Sequence, residues 1–207
     1  QLLGILQTNT RNLIALFTSL GVVYVSKVYN LPYTRGGFGE PIQSLFNFAD
    51  GEKVLGMLTL SAPDEGLDTP SEGQTSMDFL KSDTPGENNT EFLVVSANGF
   101  GFRFPLSNLA ETTRSGRKIM NLKNDSMIGF APVTHNHVFL ATEKGKAVVI
   151  ATDQITQLTG SGKGVTLMKP GESRLAGFKF VDLKDKIVLV FDSGNDKQIT
   201  VKSIRLC

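Results

Sequence analysis

Apolar, β-branched and aromatic residues recur along the chain in short runs, and each run ends at residues that favour turns. The first unit has runs at 12–18 and 21–28, joined by Ser19-Leu20-Gly21, and further runs at 42–48 and 54–60. Short runs bounded by glycine, proline and asparagine predict β-strands. Helical periodicity is limited to single turns near 29–33, 105–110 and 153–157. The sequence therefore predicts an all-β protein with about four strands in its first unit.

The same succession of runs returns further along the chain. The second unit has runs at 92–95, 100–104, 119–122 and 127–133, and the third at 138–142, 147–151, 165–168 and 175–181. A fourth unit begins with 187–191 and 199–206. Strand-rich repeats with a period in the forties are typical of radially repeated β architectures.

A loop that combines threonine, glycine and basic residues marks the repeat. It stands 13, 14 and 14 residues after Gly21, Gly99 and Gly145 respectively. The second and third copies are 46 residues apart, whereas the first and second are 79 apart. The three copies are Thr34–Gly39, Thr113–Lys118 and Thr159–Gly164. We therefore predict one domain over 1–207, with blades at 12–60, 91–133, 136–181 and 186–207 and a mobile insertion at 61–90.

Charge is divided unevenly between the insertion and the blades. Residues 61–91 hold eight acidic side chains and one lysine, a net charge of −7. The rest of the chain has 20 basic and 12 acidic residues, a net charge of +8. Such asymmetry between segments suggests that the blades bind a polyanion.

Cysteine content and hydropathy indicate the compartment. Cys207 is the one cysteine, so an internal disulfide is impossible and a reducing, cytoplasmic environment is expected. No apolar run approaches the length of a membrane span, and the N-terminus lacks a signal-peptide pattern, so no membrane partner is expected. Because the chain starts at Gln1 and its last unit stops early, we expect it to be a piece of a longer protein.

Motifs for catalysis are weak. The stretch Gly160–Thr166 imitates a phosphate-binding loop, but that motif needs glycine at position 157 and serine or threonine at 164, where Gln157 and Gly164 stand. His135 and His137 lack further metal ligands nearby, and Cys207 has no activating partner. We expect neither catalysis nor a cofactor in this domain.

Several segments resemble a known family. The stretch Val28–Ile42, which includes Tyr33-Thr34-Arg35-Gly36-Gly37-Phe38-Gly39, is similar to the C-terminal domain of bacterial type IIA topoisomerase A subunits, and so are Ser96–Phe102, Arg114–Lys118 and Gly162–Gly164. The resemblance spans most of the chain outside 61–90. It implies a β-pinwheel, a propeller-like array of four-stranded blades that exchange their outer strands and steer DNA around a basic rim. Here the array is incomplete at the ends of the chain.

Two enzymes share that domain, DNA gyrase and topoisomerase IV. The seven-residue box of gyrase, Gln-Arg-Arg-Gly-Gly-Lys-Gly, has no copy here; Tyr33–Gly39 keeps the Arg-Gly-Gly but has Phe38 in place of the lysine. The alternative is that Tyr33–Gly39 belongs to a later blade and that the box lies upstream, outside this fragment. The Gly99–Phe102 phrase and the incomplete last blade favour topoisomerase IV over gyrase. The resemblance implies that the parent protein is an ATP-dependent topoisomerase whose partner is an ATPase B subunit. It also places the DNA-cleaving tyrosine in another domain.

Basic residues of the repeated loops are the candidate DNA contacts. If the blades are radial, loops at equivalent positions line one rim, and their cations neutralise phosphates along a bent duplex without reading bases. The five loop residues are Arg35, Arg114, Arg117, Lys118 and Lys163. Four weaker candidates at strand ends are Lys27, Arg103, Lys144 and Lys146. The alternative is a propeller-type protein-interaction scaffold whose basic rim is incidental.

Overall fold

The computed structural model describes residues 4–33, 36, 39–60, 90–109, 113–190, 194 and 196–204. Within these ranges the regular structure is thirteen strands and five short 3₁₀ turns, with no α-helix, so the predicted all-β class is confirmed. The first seven strands are β1 Leu13–Thr18, β2 Val22–Lys27, β3 Val54–Leu60, β4 Glu91–Ser96, β5 Phe100–Pro105, β6 Thr113–Lys118 and β7 Met127–Pro132. The other six are β8 His137–Thr142, β9 Ala147–Ala151, β10 Val165–Thr166, β11 Leu175–Val181, β12 Lys186–Val190 and β13 Asp196–Thr200.

The sheets exchange their outer strands. The first sheet has the order β3-β1-β2-β6, and the second has the order β10-β5-β4-β7. In each of these sheets the outer strand, β6 or β10, comes from the unit that follows in sequence. The third sheet is β11-β8-β9 and the fourth is the hairpin β12-β13. Strand exchange of this kind is the β-pinwheel arrangement that the resemblance implied.

The core lies between consecutive sheets. Alternate residues of a strand point to opposite faces, so each sheet can pack against two neighbours. Ala15 and Phe17 of β1 pack with Val94 of β4, whereas Leu93 of β4 packs with Leu140 of β8. A further cluster joins the third sheet to the fourth hairpin through Phe139, Val149, Ile187 and Leu189. Each sheet thus stacks on the next.

We call β3, β7 and β11 the inner strands, because they lie at the opposite end of each sheet from the outer strand. A glycine–phenylalanine contact recurs between neighbouring inner strands. Phe130 of β7 lies over Gly56 of β3, where a Cβ would come within 3.1 Å of the ring. Phe178 of β11 lies over Gly129 of β7 in the same way, at 3.3 Å. Phe130 also stacks on Phe17, with 3.8 Å between ring centroids. These glycines let the rings fill the space between adjacent inner strands.

In every unit a 3₁₀ turn follows the hairpin turn at the same distance in sequence. Gly21, Gly99, Gly145 and Gly194 all have positive φ, and a 3₁₀ turn begins seven residues after each of them. These turns are Val28–Asn30, Leu106–Leu109, Thr152–Gln154 and Val201–Ser203. The single helical turns predicted near 29–33, 105–110 and 153–157 are confirmed.

Three predicted elements are wrong in detail. Residues 113–118 are strand β6 rather than a loop, and 119–122 form only an isolated bridge, from Met120 to Gly162. The segment 42–48 contains a 3₁₀ turn at Ile42–Ser44, and its Ile42, Leu45 and Phe46 pack on Tyr24, a helical spacing. The insertion lies almost wholly outside the described residues, and the blade boundaries stay a prediction.

Candidate nucleic-acid interface

Strand β6 is the outer edge of the first sheet. It pairs with β2 through Val25↔Thr113 and Val23↔Arg117, so the three residues between Thr113 and Arg117 bulge opposite one residue of β2. Bulges re-aim side chains and are common at sheet edges. Arg114, Arg117 and Lys118 are all exposed to solvent. The edge strand therefore presents three cations on the side farthest from the inner strands.

The loop before β10 lies next to the end of β6. The Gly162 N–H donates to the Ile119 carbonyl at 3.1 Å, and the Asn121 N–H donates to the Gly162 carbonyl at 2.8 Å. Lys163 follows directly and is exposed. The structure thus brings the loop containing Lys163 beside the residues that follow Lys118. We call residues 114–118 and 160–164 together the rim.

Three of the four rim cations contact neutral groups of the described residues. The Arg117 guanidinium donates to the Asn108 carbonyl, and Arg114 Nη2 is 3.5 Å from the Ser44 carbonyl oxygen. Lys163 Nζ stands 3.7 Å from the centroid of the Phe100 ring. In the described part of the chain, ion pairs to carboxylates are made by Arg103 and Lys144 instead. Among the described residues, therefore, no carboxylate forms an ion pair with a rim cation.

The exchanged strands β6 and β10 have a different spacing from the one read in the sequence, whereas the hairpin turns and 3₁₀ turns of the second and third units stay 46 residues apart. The Gly21 carbonyl accepts from Ile119 and Met120, and the Gly99 carbonyl accepts in the same way from Leu167 and Met168. These pairs are 48 residues apart, not 46. Lys163 therefore aligns with Ser115, and Arg117 with Val165. The expectation that basic residues recur at equivalent positions is wrong for these residues, although β6 and the loop before β10 still meet at the rim.

What recurs in the new register is a glycine with positive φ. Gly116 has φ 72° and Gly164 has φ 78°. A Cβ on Gly116 would lie 2.7 Å from Tyr24 Cε1, and one on Gly164 would lie 2.6 Å from the Gly101 backbone carbon. Both glycines are required by packing against the neighbouring unit's strand. Close approach to a phosphate is therefore not needed to explain them.

Arg103 is placed differently from the rim residues. Its Nε donates to the Ile155 carbonyl at 2.8 Å, and its Nη1 lies 2.9 Å from Glu91 Oε2. Its side chain is 23% exposed, and its backbone pairs with residues 156–158 of the third unit. This geometry favours a tie between two units over a DNA contact.

The other candidates are scattered. Lys27 ends β2, at the opposite end of the sheet from the β1–β2 turn, and is exposed. Lys144 and Lys146 lie in the exposed turn between β8 and β9, and Lys144 Nζ is 3.9 Å from Glu172. Arg35 lies outside the described residues. The assignments of all nine residues to DNA contact stay predictions.

Sequence reasoning passed over Arg11 and a buried hydrogen-bond network. Arg11 is exposed in the turn before β1, where no repeated motif marks it. Tyr24 is 2% exposed, and its hydroxyl lies 3.0 Å from Glu52 Oε2. Burial first, then the hydrogen bond to Glu52 and its charge, raise the pKa of Tyr24 to about 12. Glu52 also accepts from the Ala49 N–H at 2.8 Å, which holds the 49–52 turn against the first sheet.

Other chemistries find no support in the described ranges. No cluster of three or more histidine, cysteine, aspartate or glutamate side chains could hold a metal ion there. Within the same residues, no helix is long and apolar enough to cross a membrane.

Comparison with known proteins identifies the family. The family model described as DNA gyrase C-terminal domain, beta-propeller, matches residues 12–61, 90–134 and 136–188. The DNA topoisomerase 4 A subunit of Streptococcus pyogenes is 27% identical over 86% of this chain and 26% of its own length. The DNA gyrase A subunit of Escherichia coli K12 is 25% identical over 98% of this chain and 27% of its own length. The chain thus spans about a quarter of the length of these curated relatives.

The fold agrees with that match. The solved C-terminal domain of E. coli ParC superposes with a TM-score of 0.71 at 17% identity, over 95% of this chain and 72% of that domain. Both enzyme types occur among the relatives at similar identity, so the preference for topoisomerase IV stays a prediction. Because the family model covers three blocks that together make up most of the sequence, the chain belongs to the family of DNA gyrase C-terminal domains with the β-propeller fold.

Proposed function

We propose that this chain is a non-catalytic DNA-binding module of a type IIA topoisomerase A subunit, which holds bent duplex DNA along the rim. The observation that carries the proposal is the rim itself. Strand β6 of the second unit and the loop before β10 of the third unit meet there. Their exposed cations, Arg114, Arg117, Lys118 and Lys163, have no carboxylate partner among the described residues. Family membership supports the same function.

The energetics of the rim favour electrostatic binding to DNA of any sequence. Smoothly bending a 20–30 bp duplex by 40–90° costs on the order of 1–6 kcal/mol. Each phosphate that a cation neutralises releases condensed counterions, which offsets this cost at low salt. Among the described residues no helix is available to enter a major groove, so shape and deformability set the preference rather than base edges.

In this proposal the module acts within a longer cytoplasmic, nucleoid-associated protein. The rest of the A subunit cleaves DNA, and an ATPase B subunit drives the passage of the segment that the module steers. The parent reaction is decatenation and relaxation if the parent is a topoisomerase IV, and supercoiling if it is a gyrase. The module itself needs no cofactor.

The test is a titration of this fragment with duplex DNA across a salt series. We expect affinity to fall steeply with salt, and the slope of log K against log salt to shrink by about 0.9 for each phosphate contact removed. The variants are Arg114→Gln, Arg117→Gln and Lys163→Gln. Lys197→Gln is the matched control, because Lys197 is an exposed lysine on β13, away from the rim.

The same titration separates the competing function. A wild-type fragment that fails to bind at low ionic strength, or binds without salt dependence, contradicts the proposal and favours a protein-interaction scaffold. Equal loss in Lys197→Gln and Arg117→Gln contradicts the assignment of the rim. Bending is measured independently by the rate at which short duplexes circularise with and without the fragment.

A further inference from the structure

Two tyrosines of the first unit are unusually open to solvent. Tyr29 is 79% exposed and Tyr33 is 88% exposed. Tyr29 lies in the 3₁₀ turn Val28–Asn30, and Tyr33 follows it after Leu31 and Pro32. In the described part of the chain neither ring makes a ring contact, and neither hydroxyl makes a hydrogen bond. Rings left this open contribute nothing to the core.

The sister units show that the fold does not require aromatic residues there. Counting from the turn glycine of each unit, Tyr29 is equivalent to Ser107, Asp153 and Lys202, and all three are polar and exposed. Tyr33 is equivalent to Gln157, which is also exposed. Leu31 lies between the two tyrosines and anchors the turn. Its equivalents in the other units are also apolar: Leu109, Ile155 and Ile204. Among the equivalent positions that the structure describes, the first unit has aromatic rings where the other units have polar side chains.

The tyrosines lie among free cations. Lys27 stands two residues before Tyr29 and is exposed. The Tyr29 N–H donates to the Thr10 carbonyl at 3.1 Å, which places the exposed Arg11 in the adjoining turn. Neither Lys27 nor Arg11 is ion-paired within the described residues. Aromatic rings interleaved with unpaired cations are the surface that nucleic-acid backbones and bases favour.

This surface also continues the rim. Strand β6 starts opposite Val25, and β2 runs on from there to Lys27 and the 3₁₀ turn. Arg11, Lys27, Tyr29 and Tyr33 therefore extend the path of the rim past the start of β6. We call these four residues the tyrosine patch.

We propose that the tyrosine patch is a second DNA-contact site, at which Tyr29 and Tyr33 grip the sugar–phosphate backbone of the duplex held on the rim. The proposal rests on the proposed function. The ring faces cover sugars, and the phenolic hydroxyls donate hydrogen bonds to phosphate oxygens. Neutral contacts of this kind release no counterions, so they add affinity without adding salt dependence.

Salt dependence therefore distinguishes the tyrosines from the rim cations in a binding experiment. We expect Tyr29→Ser combined with Tyr33→Gln to weaken DNA binding on the order of tenfold at every salt concentration, as for the loss of two hydrogen bonds. The slope against log salt should stay at its wild-type value. Serine stands at the first position in the second unit, as Ser107, and glutamine at the second position in the third unit, as Gln157, so the variant should keep the wild-type urea midpoint.

Intrinsic fluorescence supplies a second readout. The chain has three tyrosines and no tryptophan, and Tyr24 is buried against Glu52. The emission change on adding DNA should therefore come from Tyr29 and Tyr33 and be absent in the double variant. Ser107→Ala, at the equivalent exposed position of the second unit, is the matched control and should behave as wild type.

The outcomes are separable from those of the proposed function. Wild-type-like affinity and slope in the double variant, with the wild type binding normally, overturns the proposal that the tyrosine patch contacts DNA. A reduced salt slope in the double variant also overturns it, because the tyrosines would then act only by placing cations. If the wild type itself does not bind DNA, it is the proposed function that fails.

Discussion

Gly164 offers a direct test of strand exchange. It belongs to the third unit but lies against β5 of the second, where a Cβ would collide with the carbonyl oxygen and carbon of Gly101. Its φ of 78° is a further obstacle, since a left-handed residue other than glycine costs about 1–2 kcal/mol. Overpacking adds roughly 1–3 kcal/mol, because the loop must move away from β5 and loosen the Val165↔Gly101 pairing. Gly164→Ala should therefore lower the free energy of unfolding by about 2–5 kcal/mol.

Two other glycines of the third unit separate these contributions. Gly171 has φ 69° but open space around it, so Gly171→Ala should cost only the backbone share, about 1–2 kcal/mol. Gly160 has open space and no positive φ, so Gly160→Ala should be neutral or stabilise by roughly 0.4–1 kcal/mol.

Urea denaturation followed by circular dichroism ranks the three variants. With a slope of about 2 kcal/mol per M, a loss of about 3 kcal/mol lowers the midpoint by roughly 1.5 M. We expect Gly160→Ala to have the highest urea midpoint, Gly171→Ala an intermediate one and Gly164→Ala the lowest. A Gly164→Ala midpoint equal to that of Gly160→Ala would refute the exchange, because the loop could not then lie on β5.

Two further predictions concern residues away from the rim. Arg103→Met should lower the free energy of unfolding by about 1.5–3 kcal/mol, because the charged hydrogen bonds to Glu91 and Ile155 are lost. It should leave the salt slope of DNA binding unchanged. A reduced slope would indicate that Arg103 contacts DNA. Tyr24 has a folded pKa of about 12 against an ordinary value of about 10, so its contribution to stability is complete below pH 10 and is lost as pH rises toward 12. Tyr24→Phe should remove that part of the pH dependence in urea denaturation, and an unaltered pH profile would contradict the raised pKa of Tyr24.

The local pattern of the sequence determined much of this protein. Alternating apolar strands such as Phe100–Phe104 and the turn glycines Gly21, Gly99 and Gly145 specify hairpins, because strand and turn chemistry act between near neighbours. The repeat of these hairpins predicted the radial class, and the charge difference between 61–91 and the rest indicated a polyanion partner.

Tertiary structure alone decided which strand completes which sheet. Strand β6 reads as a loop because an exposed edge strand with the sequence Thr-Arg-Ser-Gly-Arg-Lys has no apolar face, and its partner β2 lies some 90 residues earlier. The 48-residue spacing of the exchanged strands and the hydrogen bond from Arg103 to the Ile155 carbonyl depend on the same contacts between units. Sequence periodicity reflects contacts between residues that are close in the chain. Which strand is exchanged between units depends instead on which sheet edge remains unpaired when the blades pack.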